Sequence, residues 1–414
     1  MENRIHQALD LGDGPAALRL ARAWVSASPG QAWPWLVFSA VLARMGHERE
    51  ARRAATRAAN KGLVVQRGRR DAHIRVLTLV SLEDAAGGYL PGHGFRLGNT
   101  TDINDSLSGF ARETVVVLGG ERIPWTLLEE HGPYSVVFNG ITVAERASES
   151  LRQVEEIVAR LGLRVINDPS RVRACSRASN WLRLQSHADV RFPRTVPVAL
   201  EEGAGKARRR LPASVVREQG FEYPVIVRWP GFQAGRGMVR CEGPEDLRSL
   251  RWPAHLREAL VIEYVDFRSV DGYYRKARVF AIAGSLLPRH LLVRRDWKIH
   301  AGDGTGRAAP QEEPWWKQEM LAFVNDWEGW AGARAVRGLA DVSRALGLEY
   351  CGIDFSVLPD GRVLVFEANP AMNVHNLPGP GPAPAGPVFA GLDRLERSLA
   401  DAIENMVRQY ATVG

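Results

Sequence analysis

The sequence is short of cysteine and of long apolar runs. Its three cysteines, Cys175, Cys241 and Cys351, are far apart and odd in number, so they favour neither a disulfide framework nor a zinc site. No apolar run reaches the roughly 18 residues that a membrane-spanning helix needs. The opening MENRIHQALDLGDGP has neither the basic nor the apolar region of a secretory signal. We therefore expect a cytoplasmic protein with no membrane partner.

Lysine is scarce as well, although the chain is basic. Five of its 54 basic residues are lysines, and the formal charge is +7 with an isoelectric point near 9.6. This balance fits either a solvated surface or an anion-binding cleft. Because no basic stripe with interleaved aromatic residues is present, we expect no nucleic-acid partner. At 414 residues and 45% hydrophobic content, the chain can form about two to four globular domains.

Residues 1–63 read as an all-helical, alanine-rich segment. From Trp35 onward, large residues on one predicted helix are followed by a turn at Gly46 and by small alanines on the next helix. This order resembles a tetratricopeptide repeat, and residues 15–28 resemble the second helix of a preceding copy. An array of so few repeats cannot bury the hydrophobic faces of its own helices. The segment must therefore pack on the rest of the chain, on a protein partner or on a second copy of itself, as a structural appendage or a docking platform.

The next residues divide into a linker and a small domain. The segment 64–111 has no clear periodicity and is predicted as a linker with local structure. Residues 112–168 are predicted as an α/β domain, because strands alternate with a helix and such alternation indicates parallel β-α-β units. The predicted elements are strands at 114–118, 134–139 and 164–167 and a helix at 144–161.

Helices and strands continue to alternate after residue 168. The stretch 376–387, NLPGPGPAPAGP, is too rich in proline and glycine for a helix or strand interior and is predicted as an ordered loop or a lid. The predicted helices are 170–186, 212–219, 243–251, 330–346 and 388–410. The predicted strands are 194–198, 224–229 and 259–265, followed by two or three antiparallel strands in 273–300 that turn at Ala283-Gly284.

A β-hairpin is predicted in GIDFSVLPDGRVLVFEANP, residues 352–370. Asp360-Gly361 between alternating apolar residues is a strong signal for a two-residue turn. The turn sets the register of the two strands. The predicted pairs are Asp354 with Glu367, Phe355 with Phe366, and Val357 with Leu364.

The facing carboxylates of this hairpin need an explanation, because like charges directly opposed destabilise a sheet. Asp354, Glu367 and Asn369 share one face and form a set of hard oxygen ligands. Mg²⁺ is typically held by one or two carboxylates together with substrate phosphates. A metal site is therefore our hypothesis, and a shared proton or solvated carboxylates at a sheet edge are the alternatives.

Two further segments could bind a nucleotide. In YPVIVRWPGFQAGRGM, residues 223–238, a buried strand ends at Arg228 and a glycine-rich loop follows, which suits phosphate oxygens. The alternative is an ordinary flexible hairpin. In LVIEYVD, residues 260–266, the exposed backbone at the end of the strand could bind an adenine, with a carboxylate nearby for the ribose hydroxyls. The alternative is a core strand with a polar end.

Cations follow in the next strand. YRKARVFAIAG, residues 274–284, puts Lys276 and Arg278 on one face, which is costly unless anions meet them; a solvated face is the alternative. A basic cluster comes after it, and it could hold a substrate carboxylate or be a basic surface hairpin. Its members are Arg289, His290, Arg294, Arg295, Trp297, Lys298 and His300.

In this order the segments resemble the ATP-grasp superfamily, with a glutathione synthetase/RimK-like ATP-binding fold. The resemblance covers about 165–372 and implies a mixed α+β and α/β fold, in which two α+β subdomains, 169–266 and 267–414, clasp ATP. It is carried by NDP at 167–169, FPRT at 192–195, PVIVRWPGFQAGRGM at 224–238, EYVD at 263–266, RVFAIAG at 278–284 and the GIDF…FEANP hairpin.

The resemblance implies roles for matching residues. The metal ligands would be Asp354, Glu367 and Asn369, and the catalytic residues would be Arg278 and Asn369. The nucleotide would be bound by Arg177, Arg228, Gly231, Gly235, Gly237, Glu263, Tyr264, Val265, Asp266 and Lys276. The acid and amine substrates would contact His290, Arg294, Arg295, His300, Asn373 and His375. Arg177 and Arg228 stand where the family usually has lysines, and arginine keeps the charge but presents it as a planar fork.

The implied activity is that of an ATP-dependent carboxylate–amine ligase. ATP and Mg²⁺, as two ions and with Mn²⁺ as a substitute, would support formation of an amide through an acylphosphate. An amino acid or a peptide would be at least one substrate, in a specialised pathway. The alternatives are a kinase that acts on a non-carboxylate acceptor and a nucleotide-binding sensor that docks partners through its helices.

Overall fold

The computed structural model describes most of the chain. Its described residues form a helical segment and five β-sheets, and none of the helices among them is long and apolar enough to cross a membrane. The described residues are 1–62, 64–68, 73–81, 83, 87–90, 94–97, 105–202, 208–212, 214–230, 237–253, 256–299, 314–370 and 387–411.

Four helices open the chain, so the predicted helical segment is present. They are α1 (Glu2–Asp10), α2 (Gly14–Ala27), α3 (Ala32–Arg44) and α4 (Glu48–Ala59). Trp35 of α3 and the small Ala51 and Ala58 of α4 are buried together with Val80 and Val116 of the neighbouring sheet. The segment therefore packs on the rest of the chain, and its likeness to a tetratricopeptide repeat stays a prediction.

A five-stranded sheet follows, with strand order β1-β5-β2-β6-β7. All its pairings are parallel except that of β1 with β5, which confirms the predicted parallel β-α-β units. The elements are β1 (Val64–Gly68), β2 (Arg75–Ser81), β3 (Gly87–Leu90), β4 (Gly94–Leu97), β5 (Ala111–Val117), α5 (Trp125–His131), β6 (Val136–Asn139), α6 (Ala144–Leu161) and β7 (Val165–Ile166).

The prediction of a linker over 64–111 is wrong for its described residues. Strand β2 is the centre of the sheet, and β3 pairs with β4 in a separate hairpin. Val76, Leu77, Leu79 and Val80 of β2 are all buried. A parallel strand covered on both faces reads as a continuous apolar run rather than as an alternation, so the expected periodicity was absent for a physical reason.

A second group of elements builds a four-stranded antiparallel sheet, β13-β12-β15-β9, and a small sheet, β10-β11-β14. The single helix predicted at 170–186 is two helices, because Ser176 caps the second one by accepting a hydrogen bond from the Ser179 backbone N–H. The elements are α7 (Pro169–Arg173), α8 (Arg177–Leu184), β8 (Val190–Arg191), β9 (Thr195–Ala199), β10 (Glu201–Glu202), β11 (Arg208–Arg210), α9 (Val215–Glu218), β12 (Val225–Arg228), β13 (Met238–Cys241), α10 (Pro244–Ser249), β14 (Trp252–Pro253) and β15 (Glu258–Glu263).

The last group builds a five-stranded sheet of order β17-β16-β18-β19-β8. Strand β8 is parallel to β19, so a segment that the sequence assigns to 169–266 belongs to the sheet of the following region. The predicted turn at Ala283-Gly284 is present. The elements are β16 (Tyr274–Ile282), β17 (Ser285–Arg294), α11 (Pro314–Asn325), α12 (Trp327–Ala331), α13 (Ala333–Leu346), β18 (Tyr350–Val357), β19 (Val363–Asn369) and α14 (Pro387–Tyr410).

The two faces of this last sheet have different surroundings. One face packs into the largest core, with Val279, Ile353 and Phe355 against α13. At one end of the other face, Phe280 packs with the buried side of α14. The remaining part of that second face carries polar side chains and looks towards the four-stranded sheet. The predicted mixed fold, with parallel and antiparallel sheets, is confirmed.

The predicted turn of the 352–370 hairpin is wrong, although its carboxylate pair is correct. The Leu358 N–H donates to the Arg362 carbonyl, and of the intervening residues only Gly361 has a positive φ, +81°. The loop thus has three residues rather than two, which shifts the pairing by one. A β-bulge then inserts Phe366 opposite Asp354 and Phe355, and Asp354 again faces Glu367.

This correction changes the apolar pairs. Phe355 faces Val365 and Val357 faces Val363, in place of the predicted partners Phe366 and Leu364. The bulged Phe366 packs on Phe267 with 4.8 Å between ring centroids.

Candidate active site

Four polar side chains form a row across the last sheet. Strand register places His290 of β17 opposite Arg278 of β16, Arg278 opposite Asp354 of β18, and Asp354 opposite Glu367 of β19. Directly paired residues on neighbouring strands project from the same face. The row therefore crosses the sheet on the face that looks towards the four-stranded sheet.

Asp354 is at the centre of this row and is 3% exposed. Arg278 donates to both carboxylate oxygens, from Nε at 2.6 Å and from Nη2 at 3.0 Å, and Lys276 Nζ donates at 2.9 Å. Burial alone would raise the pKa of Asp354, but the Arg278 and Lys276 charges outweigh it and hold that pKa far below its ordinary value. Asp354 is therefore a permanent anion held between two cations.

Glu367 has a separate set of partners. Arg177, the first residue of α8, donates to its carboxylate, and Asn369 Nδ2 donates to Oε1 at 2.7 Å. Buried Asn180 of α8 donates to the Ala368 carbonyl at 2.9 Å, which fixes α8 against β19. Burial opposes ionisation of Glu367, and the Arg177 and Arg228 charges outweigh it, so the pKa of Glu367 is lowered.

Arg228 reaches the same charges from the four-stranded sheet. It is the last residue of β12 and is 6% exposed. Burial and then the charge of Arg177 lower its pKa to about 9, and Glu367 opposes that shift. The guanidinium therefore remains charged at neutral pH. Two different sheets and helix α8 thus bring four cations, Arg177, Arg228, Lys276 and Arg278, to two carboxylates.

One pocket connects this charged group with an apolar slot. The slot lies between the two sheets, and its aromatic side includes Trp297 and the bulged Phe366. Charged lining residues are Arg177, Arg228, Glu263, Lys276, Asp354 and Glu367, and uncharged ones are Pro193, Ile226, Met238, Ile262, Tyr264, Val265, Phe267, Trp297, Ile299, Leu364 and Phe366.

The connection between β15 and β16 forms one edge of the pocket. Glu263 accepts hydrogen bonds from Arg191 and, at 3.2 Å, from the Arg194 backbone N–H. No described residue hydrogen-bonds to the backbone of Tyr264 or Val265. That backbone borders the pocket and can therefore pair with the polar edge of a flat ring, while the Glu263 carboxylate is engaged with Arg191.

The remaining predicted nucleotide residues are only partly grouped with the pocket. Asp266 is exposed and accepts a hydrogen bond from the Arg268 backbone N–H at 3.0 Å. Gly237 has a φ of +64°, and a Cβ there would lie 2.6 Å from the Trp229 ring, so glycine is required at this end of the loop. Gly231 and Gly235 lie outside the described residues.

The predicted substrate residues that the structure describes do not form one cluster. Arg289 projects to α14, where it pairs with Glu396 at 3.3 Å. Arg294 donates to the Val293 carbonyl, and Arg295 lies over the Tyr273 ring. Trp297 lines the pocket. His300, Asn373 and His375 lie outside the described residues.

Several residues of the site carry no signal in the sequence that marks them as functional. Arg191 has no local signal, because its partner Glu263 is 72 residues away. Phe267 and Phe366 read as ordinary apolar residues, and Phe366 reaches the pocket only through the bulge. The one signal for Phe366 was the register of the hairpin. The actual register contains a bulge, which depends on tertiary packing and cannot be read from the sequence.

The donor set fits a divalent cation that arrives with an anionic ligand. Two carboxylates and the amide of Asn369 are hard donors on adjacent strands, which suits Mg²⁺. Among the described residues, no group of three His, Cys, Asp or Glu side chains could hold a metal alone. A metal at Asp354 and Glu367 would therefore need further oxygens, such as those of phosphates.

No family model and no curated protein matches the chain. Solved structures are similar to it. D-alanine–D-alanine ligase from Bacillus anthracis, complexed with ATP, has 12% identity and a TM-score of 0.45 over 81% of this chain and 96% of that one. A RimK domain ATP-grasp protein from Sphaerobacter thermophilus has 14% identity and a TM-score of 0.42 over 81% and 99%. D-cycloserine synthetase has 16% identity and a TM-score of 0.41 over 79% and 99%.

Proposed function

We propose that the chain is an ATP-grasp enzyme, an ATP- and Mg²⁺-dependent carboxylate–amine ligase that forms an amide through an acylphosphate. One observation carries the proposal: a single pocket joins an apolar slot to two paired carboxylates and the cations that hold them. The apolar slot suits an adenine, and the charged end suits a metal-bound triphosphate.

The charges of the site suit a triphosphate. Arg177, Arg228, Lys276 and Arg278 carry four positive charges against the two negative charges of Asp354 and Glu367. Three of these cations, Arg177, Arg228 and Lys276, line the pocket together with both carboxylates, so an anionic ligand there could pair with them. Fixed cations in a water-poor site stabilise transferred negative charge strongly.

The metal ligands in this proposal are Asp354, Glu367 and Asn369. These residues would hold Mg²⁺, which would supply positive charge against the charge that develops on the transferred phosphoryl group. The Arg278 and Lys276 contacts to Asp354 keep its carboxylate ionised and oriented. In this proposal the two cations keep the Asp354 carboxylate ionised, so that it can act as a metal ligand at the centre of the sheet.

Arg278 is the residue that we propose to act on the transferred group. Its Nε and Nη2 bind Asp354, and Nη1 is not part of that pair. Arg278 would orient the attacking carboxylate and the γ-phosphoryl group while ADP leaves with the electron pair of the broken P–O bond. The resulting acylphosphate then reacts with an amine, and phosphate leaves. Positioning and charge stabilisation are sufficient for this chemistry.

The substrate class rests on the resemblance in the sequence. We propose an amino acid or a peptide as at least one of the two substrates, in a specialised pathway. Pairs drawn from the twenty amino acids and from dipeptides are the first compounds to test.

Dependence of ADP release on two substrates tests the proposal. Purified protein with ATP and Mg²⁺ should release ADP and phosphate only when both a carboxylate and an amine are supplied, and mass spectrometry should detect their amide. ADP release together with a phosphorylated acceptor would instead indicate a kinase. ATP binding without turnover on any pair would favour a nucleotide sensor.

The arginine at position 228 yields a prediction about nucleotide affinity. Arg228→Lys should keep the dissociation constant of ATP within about tenfold, because the charge is kept, whereas Arg228→Met should weaken binding by about 2 kcal/mol, the usual cost of a lost charged contact. Isothermal titration calorimetry with ATP and Mg²⁺ measures both. If the Arg228→Met variant and the wild-type protein bound ATP with equal affinity, Arg228 would not be a phosphate-binding residue.

A further inference from the structure

The chain crosses twice between the two sheets that enclose the pocket. Residues 192–194 lead from β8 of the last sheet to β9 of the four-stranded sheet, and residues 264–273 lead from β15 back to β16. We call these two crossings the hinge. Pro193 of the first crossing and Tyr264 and Val265 of the second line the pocket. The relative position of the two crossings therefore sets one edge of the pocket.

Glu263 ties the two crossings together. Its backbone N–H donates to the Arg194 carbonyl at 2.9 Å, and the Arg194 backbone N–H donates to its carboxylate at 3.2 Å. The Arg191 side chain donates to the other carboxylate oxygen. Arg191 lies on the last sheet and Glu263 on the four-stranded sheet. The contact between them spans the hinge, and both oxygens of the carboxylate are engaged.

The flanks of the hinge are anchored separately on each side. Phe192 is buried in the core against the last sheet, and the Arg194 guanidinium lies 4.7 Å from the centre of the Phe221 ring, which belongs to the core of the four-stranded sheet. In the second crossing, Phe267 is 7% exposed and packs on the last sheet. The backbone that borders the pocket lies between Glu263 and Phe267. Its position therefore depends on the contacts of Glu263.

We propose that Arg191 and Glu263 form a clamp across the hinge and that Glu263 positions the nucleotide without contacting the adenine amino group, an inference that rests on the proposed function. The clamp holds the Tyr264 and Val265 backbone against the base. The resemblance implied a direct adenine contact for Glu263 instead. Among the described residues, those that line the pocket include Glu263 but not Arg191. A substitution of Arg191 would thus act on a bound nucleotide through Glu263.

Two nucleotides separate the clamp from a direct contact. ATP has a 6-amino group and purine riboside triphosphate lacks it, so a carboxylate that accepts from this group matters for ATP alone. Isothermal titration calorimetry with Mg²⁺ measures both dissociation constants for the wild-type protein, Arg191→Met, Glu263→Gln and the double variant. Hydrogen–deuterium exchange of the nucleotide-free proteins over 192–198 and 259–267 measures opening of the hinge. Arg248→Met is the matched control, because Arg248 pairs with Glu245 within α10.

The expected result is the same loss for both nucleotides. Arg191→Met and Glu263→Gln should each weaken ATP and purine riboside triphosphate by about five- to tenfold, the size expected for a partly exposed, charged hydrogen bond. The double variant should bind no more weakly than the weaker single variant, because the two residues act as one unit. Both single variants should exchange faster than the wild-type protein at the hinge. Arg248→Met should change neither affinity nor exchange.

Three outcomes would overturn the clamp. They are a loss confined to ATP in Glu263→Gln, additive losses in the double variant, and unchanged hinge exchange in Arg191→Met. The first would make the Glu263 carboxylate a direct adenine contact. Failure of the wild-type protein to bind ATP would instead contradict the proposed function, and the exchange rates of the nucleotide-free proteins would then decide the clamp.

Discussion

Asp354→Asn should abolish turnover, with ADP formation falling by at least about 10³-fold, as expected when a charge at the reacting phosphoryl group is lost. Asparagine has the same shape, but it removes the anion that the metal needs. It also leaves Arg278 and Lys276, which now bind that anion at 2.6 and 2.9 Å, without a charged partner. Coupled-enzyme detection of ADP measures the effect.

The same substitution should reduce stability. Removing one member of a buried ion pair costs about 3 kcal/mol, because the remaining charges are left uncompensated. The pKa of Asp354 is depressed in the folded protein, so its contribution is fully present above about pH 4, the ordinary value, and is lost as pH falls further. Urea unfolding of both proteins at neutral pH and at low pH checks the size and the sign.

Asp360→Asn is the matched control for Asp354. Asp360 lies in the loop of the same hairpin, is exposed, and accepts hydrogen bonds from the Arg362 backbone N–H and side chain. An asparagine oxygen can accept the same backbone hydrogen bond. This variant should keep wild-type turnover, with a stability change within about 0.5 kcal/mol. Turnover by folded Asp354→Asn protein at the control rate would contradict the metal assignment.

Arg278→Lys should lower kcat by about 10²-fold or more while the KM for ATP changes little, because the missing contacts act on the transferred group. Lysine keeps the charge but not the planar fork, whose Nε and Nη2 both bind Asp354. Steady-state kinetics with varied ATP separates the two parameters. A large rise in KM with unchanged kcat would place Arg278 in nucleotide binding instead.

The same strand offers a control for Arg278. Arg275 also forms a fork, with Glu319 at 2.6 and 2.9 Å and with Asp271, but it lies three residues away on the other face of β16. Arg275→Lys should reduce stability without changing the kcat of the folded protein. Equal losses of kcat in Arg278→Lys and Arg275→Lys would mean that both substitutions lower kcat by disturbing strand β16, and not by removing a contact to the transferred group.

The hairpin illustrates how far local signals reach. The turn signal at Asp360-Gly361 predicts two loop residues, and the structure has three. The error does not reach Asp354 and Glu367, because the bulge at Phe366 shifts the pairing back. Turn propensity acts between neighbours in sequence, whereas the bulge depends on packing of Phe366 against distant Phe267. Only the first was available to the sequence analysis.

The same division applies to the whole molecule. The sequence by itself determined the alternation of helices and strands in 112–168 and the shared strand face of Lys276 and Arg278, because both follow from short-range periodicity. The pairing of Asp354 with Glu367 depends in addition on the bulge at Phe366. Tertiary structure decided that 75–81 is a central strand, that Arg191 engages Glu263, and that His290 extends the polar row. These depend on contacts between residues far apart in the chain, which leave no local pattern.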